Sequence, residues 1–386
     1  MKVAVVILNW NGKGFLQKFL PSLFNSLPEY ADLTVADNAS TDGSKETFNG
    51  ICNSLKGGRN QEAATPELNW IQLDRNYGFT GGYNRAFNII RNSAAHTASP
   101  EENSSNSASS PYKYYVLINS DILVTGNWLQ PLVNFMEEHP EVAVCQPKIL
   151  SYARHLKVVQ EPLIAEQFEY AGAAGGFIDR WGFPFCRGRI LSCLEEDLGQ
   201  YDNPQRCFWA SGACMIVRSS IWHKLQGLEE KFFAHMEEID FCWRASLAGY
   251  EVWCLPQSKV YHVGGGTLPN NSPRKLYFNY RNNLLMLWKN LPKRHKNAKI
   301  FLRKCIDGLS AVCYVFQGKF SYFKSVVKAH RHYTKLKKEV AVSPQQQPSP
   351  TPQPTSSVAR PFGMLPFSII LKFFTGKKKF SQLPQN

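Results

Sequence analysis

The chain has 386 residues, 44% of them hydrophobic and 19% charged, which is apolar enough to bury a full core and excludes a disordered or fibrous protein. Its net charge of +14 is uneven: from Asn270 onward 22 Lys and Arg face 2 Asp and Glu, which leaves residues 1 to 269 at −6. A C-terminal region of +20 suits an anionic partner, membrane or nucleic acid, while the first two thirds need another explanation.

The opening MKVAVVILNWNG has an apolar run of six residues, Val3 to Leu8, with no small-residue cleavage site behind it. It reads as a buried first strand and not as a signal peptide. GFLQKFLPSLFNSL has apolar residues at helical spacing, and DLTVADN is a second strand with a polar end. STDGSKETFNGICNSL opens on a Ser/Thr/Asp cap before a helix, NWIQLDRN gives a third strand, and FTGGYNRAFNIIRNS a third helix. This alternation predicts an α/β fold, a mostly parallel central sheet flanked by helices, with ligands at the carboxyl ends of its strands. Each strand of this half ends in polar residues: Asn9 and Asn11, Asp37 and Asn38, Arg75 and Asn76, Asn119 and Asp121. Residues 94–111, rich in Ser, Asn and Ala, are expected to be a surface insertion.

YVLINSDILV ends an apolar strand on Asn119 and Asp121, which share one face at i and i+2. The pair is either a polar turn or a ligand set for a metal-bound phosphate. In GGFIDRWGFPFCRGR, Phe177, Trp181, Phe183 and Phe185 either stack on a sugar or pack, and packing is the simpler expectation. KFFAHMEEIDFCWRASLAGYEVWCLP puts Glu237, Glu238 and Asp240 at the start of a helix with an apolar stripe of Ile239, Trp243 and Leu247, closed by Gly249. Asp240 and Arg244 stand at i,i+4 and can pair; the helix dipole favours Glu237 and Glu238 there even without a function. His262 precedes a glycine run in KVYHVGGGT, where it is free to meet a metal, the alternative being an ordinary surface or core histidine. The ten cysteines include no C-x-x-C and read as core thiols in a reducing cytoplasm, with a metal or disulfide at Cys186, Cys193, Cys207 and Cys214 as the alternative.

From Tyr277 to Val340 the chain reads as basic helices, and 343–361 as a Pro/Gln-rich linker. The tail, 362–386, contains FGMLPFSIILKFFTGKKKF, which is too short and too broken by Pro366 and Lys372 to span a bilayer. Apolar residues beside a Lys cluster are the composition of an interfacial anchor.

In order, VVILNWNG, VADNASTDGS, LDRNYGFTGGYNRA, LINSDI, FWASGACMIVRSSIW, FFAHMEEIDFCWRASLAGYEV and VYHVGGGT resemble the inverting family 2 glycosyltransferases of GT-A (Rossmann-like) fold, particularly the bacterial rhamnosyltransferase-like branch. The resemblance covers about Lys2 to Thr267. It implies a catalytic domain over 1–268, to which charge and composition add a basic helical extension over 269–342, the linker and the tail. It further implies metal-dependent transfer of a sugar from a UDP- or dTDP-sugar, dTDP-rhamnose among them, to a saccharide or lipid-linked acceptor in cell-surface polysaccharide synthesis. In the family the strand-end motif is usually D-x-D; here it is Asn119-Ser120-Asp121, so the resemblance gives the metal, Mn²⁺ or Mg²⁺, to Asp121 with His262, and a ribose or phosphate contact to Asn119. It places Asn9, Asp37, Asn76 and Asn84 around the nucleotide-sugar, with Asp37 reading a pyrimidine face. The acidic pair, commonly Glu-Asp, is Glu237-Glu238 here, and Glu238 inherits the general-base role.

A nucleotidyltransferase would carry a Gly-rich basic loop after the first strand, which NWNGKGF does not match. A non-enzymatic membrane- or nucleic-acid-binding protein would account for the charge and leave Asp121, Glu237, Glu238 and His262 without a purpose. The expected partners are therefore a nucleotide-sugar, an acceptor and an anionic membrane surface, with no nucleic acid. The expected location is the cytoplasm, against the inner face of the cell membrane.

Overall fold

A computed structural model describes residues 2–57, 66–95, 110–265, 272–340 and 360–384. The core of the insertion and most of the linker expected from the sequence lie outside these residues, as do Gly266 and Thr267 of the glycine run. The strands are β1 (Val3–Asn9), β2 (Ala31–Asp37), β3 (Leu68–Gln72), β4 (Tyr114–Asn119), β5 (Ile122–Val124), β6 (Val142–Ser151), β7 (Glu166–Gln167) and β8 (Gly176–Asp179). They continue as β9 (Pro184–Cys186), β10 (Arg189–Ile190), β11 (Cys193–Leu194), β12 (Glu196–Asp197), β13 (Gln205–Cys207), β14 (Cys214–Arg218), β15 (Glu251–His262) and β16 (Met364–Leu365). The helices are α1 (Lys13–Asn25), α2 (Ser44–Gly57), α3 (Gly78–Ala95), α4 (Leu129–Glu138), α5 (Tyr152–Gln160) and α6 (Ser219–Lys224). After these come α7 (Glu237–Leu247), α8 (Pro273–Asn290), α9 (Lys293–Phe316), α10 (Phe320–Leu336) and α11 (Ile369–Phe374).

The main sheet runs β13-β15-β6-β14-β4-β1-β2-β3, with β5 against β15. Strands β3, β2, β1 and β4 are mutually parallel, β14 inserts antiparallel, and β6 and β15 resume the first direction. The strands that share this direction therefore bring Asn9, Asp37, Asn119 and His262 to one edge. Alternation along β1 and β4 sends Ala4, Val6, Tyr115 and Leu117 to one face, and Val3, Val5, Ile7, Val116 and Ile118 to the other. Helices α1 and α4 cover the second face through Leu16, Leu20, Leu132 and Met136; α3, α7 and α8 cover the first through Tyr83, Phe87, Trp243 and Leu284. Each large side chain buried this way contributes roughly 1.5–3 kcal/mol.

A smaller sheet, β11-β10-β9-β8-β16, stands beside the main one. Phe177 and Phe185 are core residues of this unit, and Arg303 lies over the Phe183 ring at 3.6 Å, so these aromatics pack. Its last strand comes from the tail: Met364 and Leu365 pair in parallel with Ile178 and Asp179. The Asp179 carboxylate accepts from the backbone N–H groups of Trp181, Phe183 and Ile369, closing the hairpin turn and capturing the tail at once. Phe380 then packs its ring, tilted by 46°, against Phe177 at 4.8 Å between centroids. The tail is thus a docked part of the fold, with Ile369 buried and only Leu371 and Phe374 of α11 left as large exposed apolar groups. Among the described residues no helix is long and apolar enough to cross a membrane.

Candidate active site

At the end of β1 the buried Asn9 donates to Asp37 Oδ1 at 2.8 Å and to Ser40 Oγ at 3.1 Å, while its own Oδ1 has no partner. Gly12 is required here, because a Cβ would stand 2.3 Å from that oxygen. Asp37 accepts from Asn9, from the Ser40 N–H and hydroxyl, and from Gln72 Nε2, so four donors occupy its two oxygens. It orders the turn after β2 and, in this state, offers no free acceptor to a base. Asn76 accepts from Asn38 and from the Gly78 N–H, bracing the entry to α3. Asn84 lies further along α3, donating to the Leu228 carbonyl at 2.8 Å and accepting from the Leu228 N–H at 2.9 Å. Its amide therefore pins the segment leading to the acidic pair.

Asp121 and His262 come together because β5 pairs antiparallel with the end of β15, with Ile122 opposite His262. His262 Nε2 lies 3.2 Å from Asp121 Oδ1 and 3.4 Å from Asn119 Nδ2. On the other side Nδ1 lies 3.3 Å from Glu169 Oε2. Burial disfavours a charged imidazole, but the carboxylates on both flanks prevail and raise His262 to about 10. Glu169 stays below the usual range despite its burial, held by His262 and by the backbone N–H groups of Ala171 and Tyr170. A side chain at Gly264 would stand 2.6 Å from Glu169, so this glycine makes room for the carboxylate that braces the histidine.

The acidic pair opens α7 after an unusual turn in which Phe233, His235 and Met236 all have φ between 65° and 74°. Non-glycine residues rarely adopt this region, and a run of them costs energy that surrounding structure must offset. Asn282, deep in α8, does so by donating from one amide to the carbonyls of Phe232, Ala234 and His235 at 3.0, 2.8 and 2.7 Å. Arg281 adds bonds to the carbonyls of Lys231 and Phe232. Asp240 is fully buried with Arg244, Lys289 and Asn290, which anchors α7 to α8. Glu237 and Glu238 each keep a buried, unpartnered Oε2. Burial raises both carboxyls, Glu238 to about 7, and Glu238 pushes Glu237 up further by like charge. Burial thus outweighs the helix N-terminal N–H groups that pull the other way. The turn 211–213 connects the two halves: Ala213 accepts from the Asn119 N–H at 2.9 Å, and a side chain at Gly212 would meet Glu238 Cβ at 3.7 Å.

Residues 4–190 match the family model described as glycosyl transferase family 2. They form a family 2 glycosyltransferase domain. An N-acetylglucosaminyl-diphospho-decaprenol L-rhamnosyltransferase of Mycobacterium tuberculosis is 22% identical over 262 residues, 67% of this chain and 75% of its own length. Rhamnosyltransferase WbbL of Escherichia coli is 35% identical over 54 residues, 14% of this chain and 20% of its own. Among solved structures, GalNAc-T7 with UDP, GalNAc and Mn²⁺ superposes with a TM-score of 0.50 at 13% identity over 75% of this chain, which spans 48% of that one. The fold is GT-A, and the protein is a glycosyltransferase.

Whether the glycosyltransferase suits a divalent cation is tested by its donor set. Among the described residues no group of three or more His, Cys, Asp and Glu is arranged to hold a metal ion. Asp121 and, once its Nε2 proton is displaced, His262 supply two donors, and Glu169, on the opposite ring nitrogen, serves to orient the imidazole. Two protein donors leave most positions of a hard cation to phosphate and water oxygens, so the residues fit a shared metal–diphosphate site. Glu169 is absent from the motif reading because it sits in an irregular segment far from both partners. Asn282 and Arg281 escaped it because a polar residue inside a helix carries no sign of the distant carbonyls it serves. All ten cysteines are free thiols.

Proposed function

We propose that the enzyme is a metal-dependent inverting glycosyltransferase that moves a sugar from a UDP- or dTDP-sugar, dTDP-rhamnose first among the candidates, to a hydroxyl of a saccharide or lipid-linked acceptor in cell-surface polysaccharide synthesis. The observation that carries this reading is the meeting of Asp121 and His262 at 3.2 Å on the carboxyl edge of a GT-A sheet, beside a raised carboxyl pair. The names of the two rhamnosyltransferase relatives support the donor, and the diphospho-decaprenol in one supports a lipid-linked acceptor. Such an acceptor would keep the enzyme on the cytoplasmic side, against the inner face of the cell membrane.

Asp121 Oδ1 and His262 Nε2 are the residues that would hold Mn²⁺ or Mg²⁺, with Glu169 fixing the imidazole. When bound, the cation supplies Lewis-acid stabilisation to the leaving diphosphate. Asn119 contributes a phosphate or ribose contact, while Asn9, Asp37, Asn76 and Asn84 shape the nucleotide edge. Glu238 takes the proton of the acceptor hydroxyl as its oxygen bonds to the anomeric carbon from the face opposite the diphosphate. The bond from that carbon to the diphosphate oxygen breaks, the nucleoside diphosphate leaves with the electron pair, and the configuration inverts. Glu237, kept neutral by burial and by its neighbour, spares the site a second negative charge.

The test is nucleoside diphosphate release from a panel of UDP-, dTDP- and GDP-sugars with Mn²⁺ or Mg²⁺ and a saccharide acceptor. Turnover is expected with a dTDP- or UDP-sugar, and Asp121→Ala is expected to abolish it while the fold is retained at somewhat lower thermal stability, since the buried His262 loses one of its two flanking carboxylates. Undiminished turnover in EDTA, or in Asp121→Ala, would remove the metal site from the mechanism.

A further inference from the structure

The buried stripe of α9 runs through Lys296, Ile300, Arg303, Asp307 and Ala311. On the opposite face, every exposed side chain from Phe301 to Phe316 is apolar or a thiol. Phe301 is 70% exposed, Leu309 69%, Val312 49% and Phe316 87%. With the exposed Cys305 between the first two, their spacing of three and four keeps them on one line of the helix, about 22 Å long at 1.5 Å per residue. Scattered surface leucines need no explanation, but an aligned aromatic and aliphatic face without a single charge does. Both ends of the line are cationic: Arg294 stands one heptad before Phe301, and Lys319 follows Phe316 at the turn into α10. Beyond that turn the outer face of α10 carries Lys324, Lys328, Arg331 and Lys335, all exposed.

From these observations we propose that the outer face of α9, with the basic face of α10 beside it, is the surface by which this protein lies on an anionic lipid leaflet. Apolar side chains enter the acyl boundary, and Lys and Arg meet the phosphates at its edge, which is the arrangement of an interfacial helix. Charge selects this occupant over the others. A second copy of the chain stacked stripe to stripe would oppose basic ends in either direction. The chain's own Pro/Gln-rich stretch, 343–361, has no acidic residue and almost no apolar ones to offer the stripe. The face also differs from the expected tail anchor, since α11 is tied to the smaller sheet and exposes only Leu371 and Phe374 as large apolar groups. None of these residues belongs to the proposed chemistry, so binding is measured independently of turnover.

The experiment is co-sedimentation of the full chain with vesicles of phosphatidylglycerol and phosphatidylcholine, and with phosphatidylcholine alone. The full chain is expected to pellet with the anionic vesicles and to be partly released by salt. The double variant Leu309→Glu/Phe316→Glu is expected to bind about tenfold more weakly or worse, with unchanged thermal unfolding, because two apolar insertions are lost and two like charges face the lipid. Leu371→Glu/Phe374→Glu is expected to bind as the parent does. The proposal is overturned if the α9 variant binds like the parent, or if the tail variant alone loses binding. It is equally overturned if the parent ignores vesicles and elutes as a dimer that the α9 variant splits, which would make the stripe a self-association face.

Discussion

Glu238, the proposed general base, shows how surroundings set the protonation of a carboxyl. A glutamate at a helix N-terminus is ordinarily favoured as an anion, yet burial raises this one to about 7. A base with that pKa is protonated below neutrality and free above it, so kcat is expected to fall as pH drops through about 7 and to level off above. Replacing Glu238 with Gln is expected to reduce turnover by about 10² to 10⁴ and to abolish that acid limb, while donor binding persists. If Glu237→Gln is the crippled enzyme and Glu238→Gln turns over normally with its acid limb intact, the base is Glu237. The residue types of this pair were legible in the sequence because their spacing and place in the chain are characteristic. Their protonation was not, since the sequence shows the dipole that lowers a carboxyl but not the burial that raises it. Asp37 teaches the converse: its position at a strand end was apparent, and the four donors that fill it were not.

At the scale of elements, the first half of the fold was legible almost strand by strand, because parallel strands buried on both faces leave continuous apolar runs that end abruptly in polar residues. The smaller sheet was not, since β8, β9 and β10 are two to four residues long and share their stretch with glycines and aromatics that look like loop. Helix α8 was legible as a helix, but its contacts to the catalytic domain were not. Its Asn282 and Arg281 hold the strained turn that aims the acidic pair, and its Lys289 and Asn290 clamp α7. Removing the Asn282 amide strands the Ala234 and His235 carbonyls in a segment with little conformational freedom, while the Phe232 carbonyl keeps Arg281. Asn282→Ala is therefore expected to cost about 1–3 kcal/mol of stability. If the residue positions the pair, kcat should fall more than KM rises, and the acid limb of the pH profile should shift. Asn282→Asp should resemble Ala, because a carboxylate cannot donate to carbonyls. A loss of stability with kcat and pH profile unchanged would leave Asn282 with a folding role alone.

Across the whole molecule, the last 25 described residues close a sheet that the first 340 leave open. Strand β8 has β9 on one side and β16 on the other, so without the tail its outer backbone groups face solvent as an unpaired edge. The Asp179 carboxylate would lose the Ile369 N–H and keep only its two hairpin donors, and Phe380 would leave the aromatic group of Phe177, Phe185 and Tyr201. The charge split of the sequence drew attention to this tail for its lysines, yet the residues that dock it are Leu365, Ile369 and Phe380, which carry no charge. Phe380→Ala in the full chain is accordingly expected to lower stability by about 1–2 kcal/mol, less than a fully buried ring would, because Phe380 is only partly covered. Its thermal midpoint should drop while nucleotide-sugar binding, proposed for the edge of the other sheet, stays as it was. Protease exposure near residue 180 should rise in the same variant, since the β8–β9 turn shares Asp179 with the tail. A variant with an unchanged midpoint would mean that the tail rests on the small sheet without supporting it, and the turn at Asp179 would then hold by its two hairpin bonds alone.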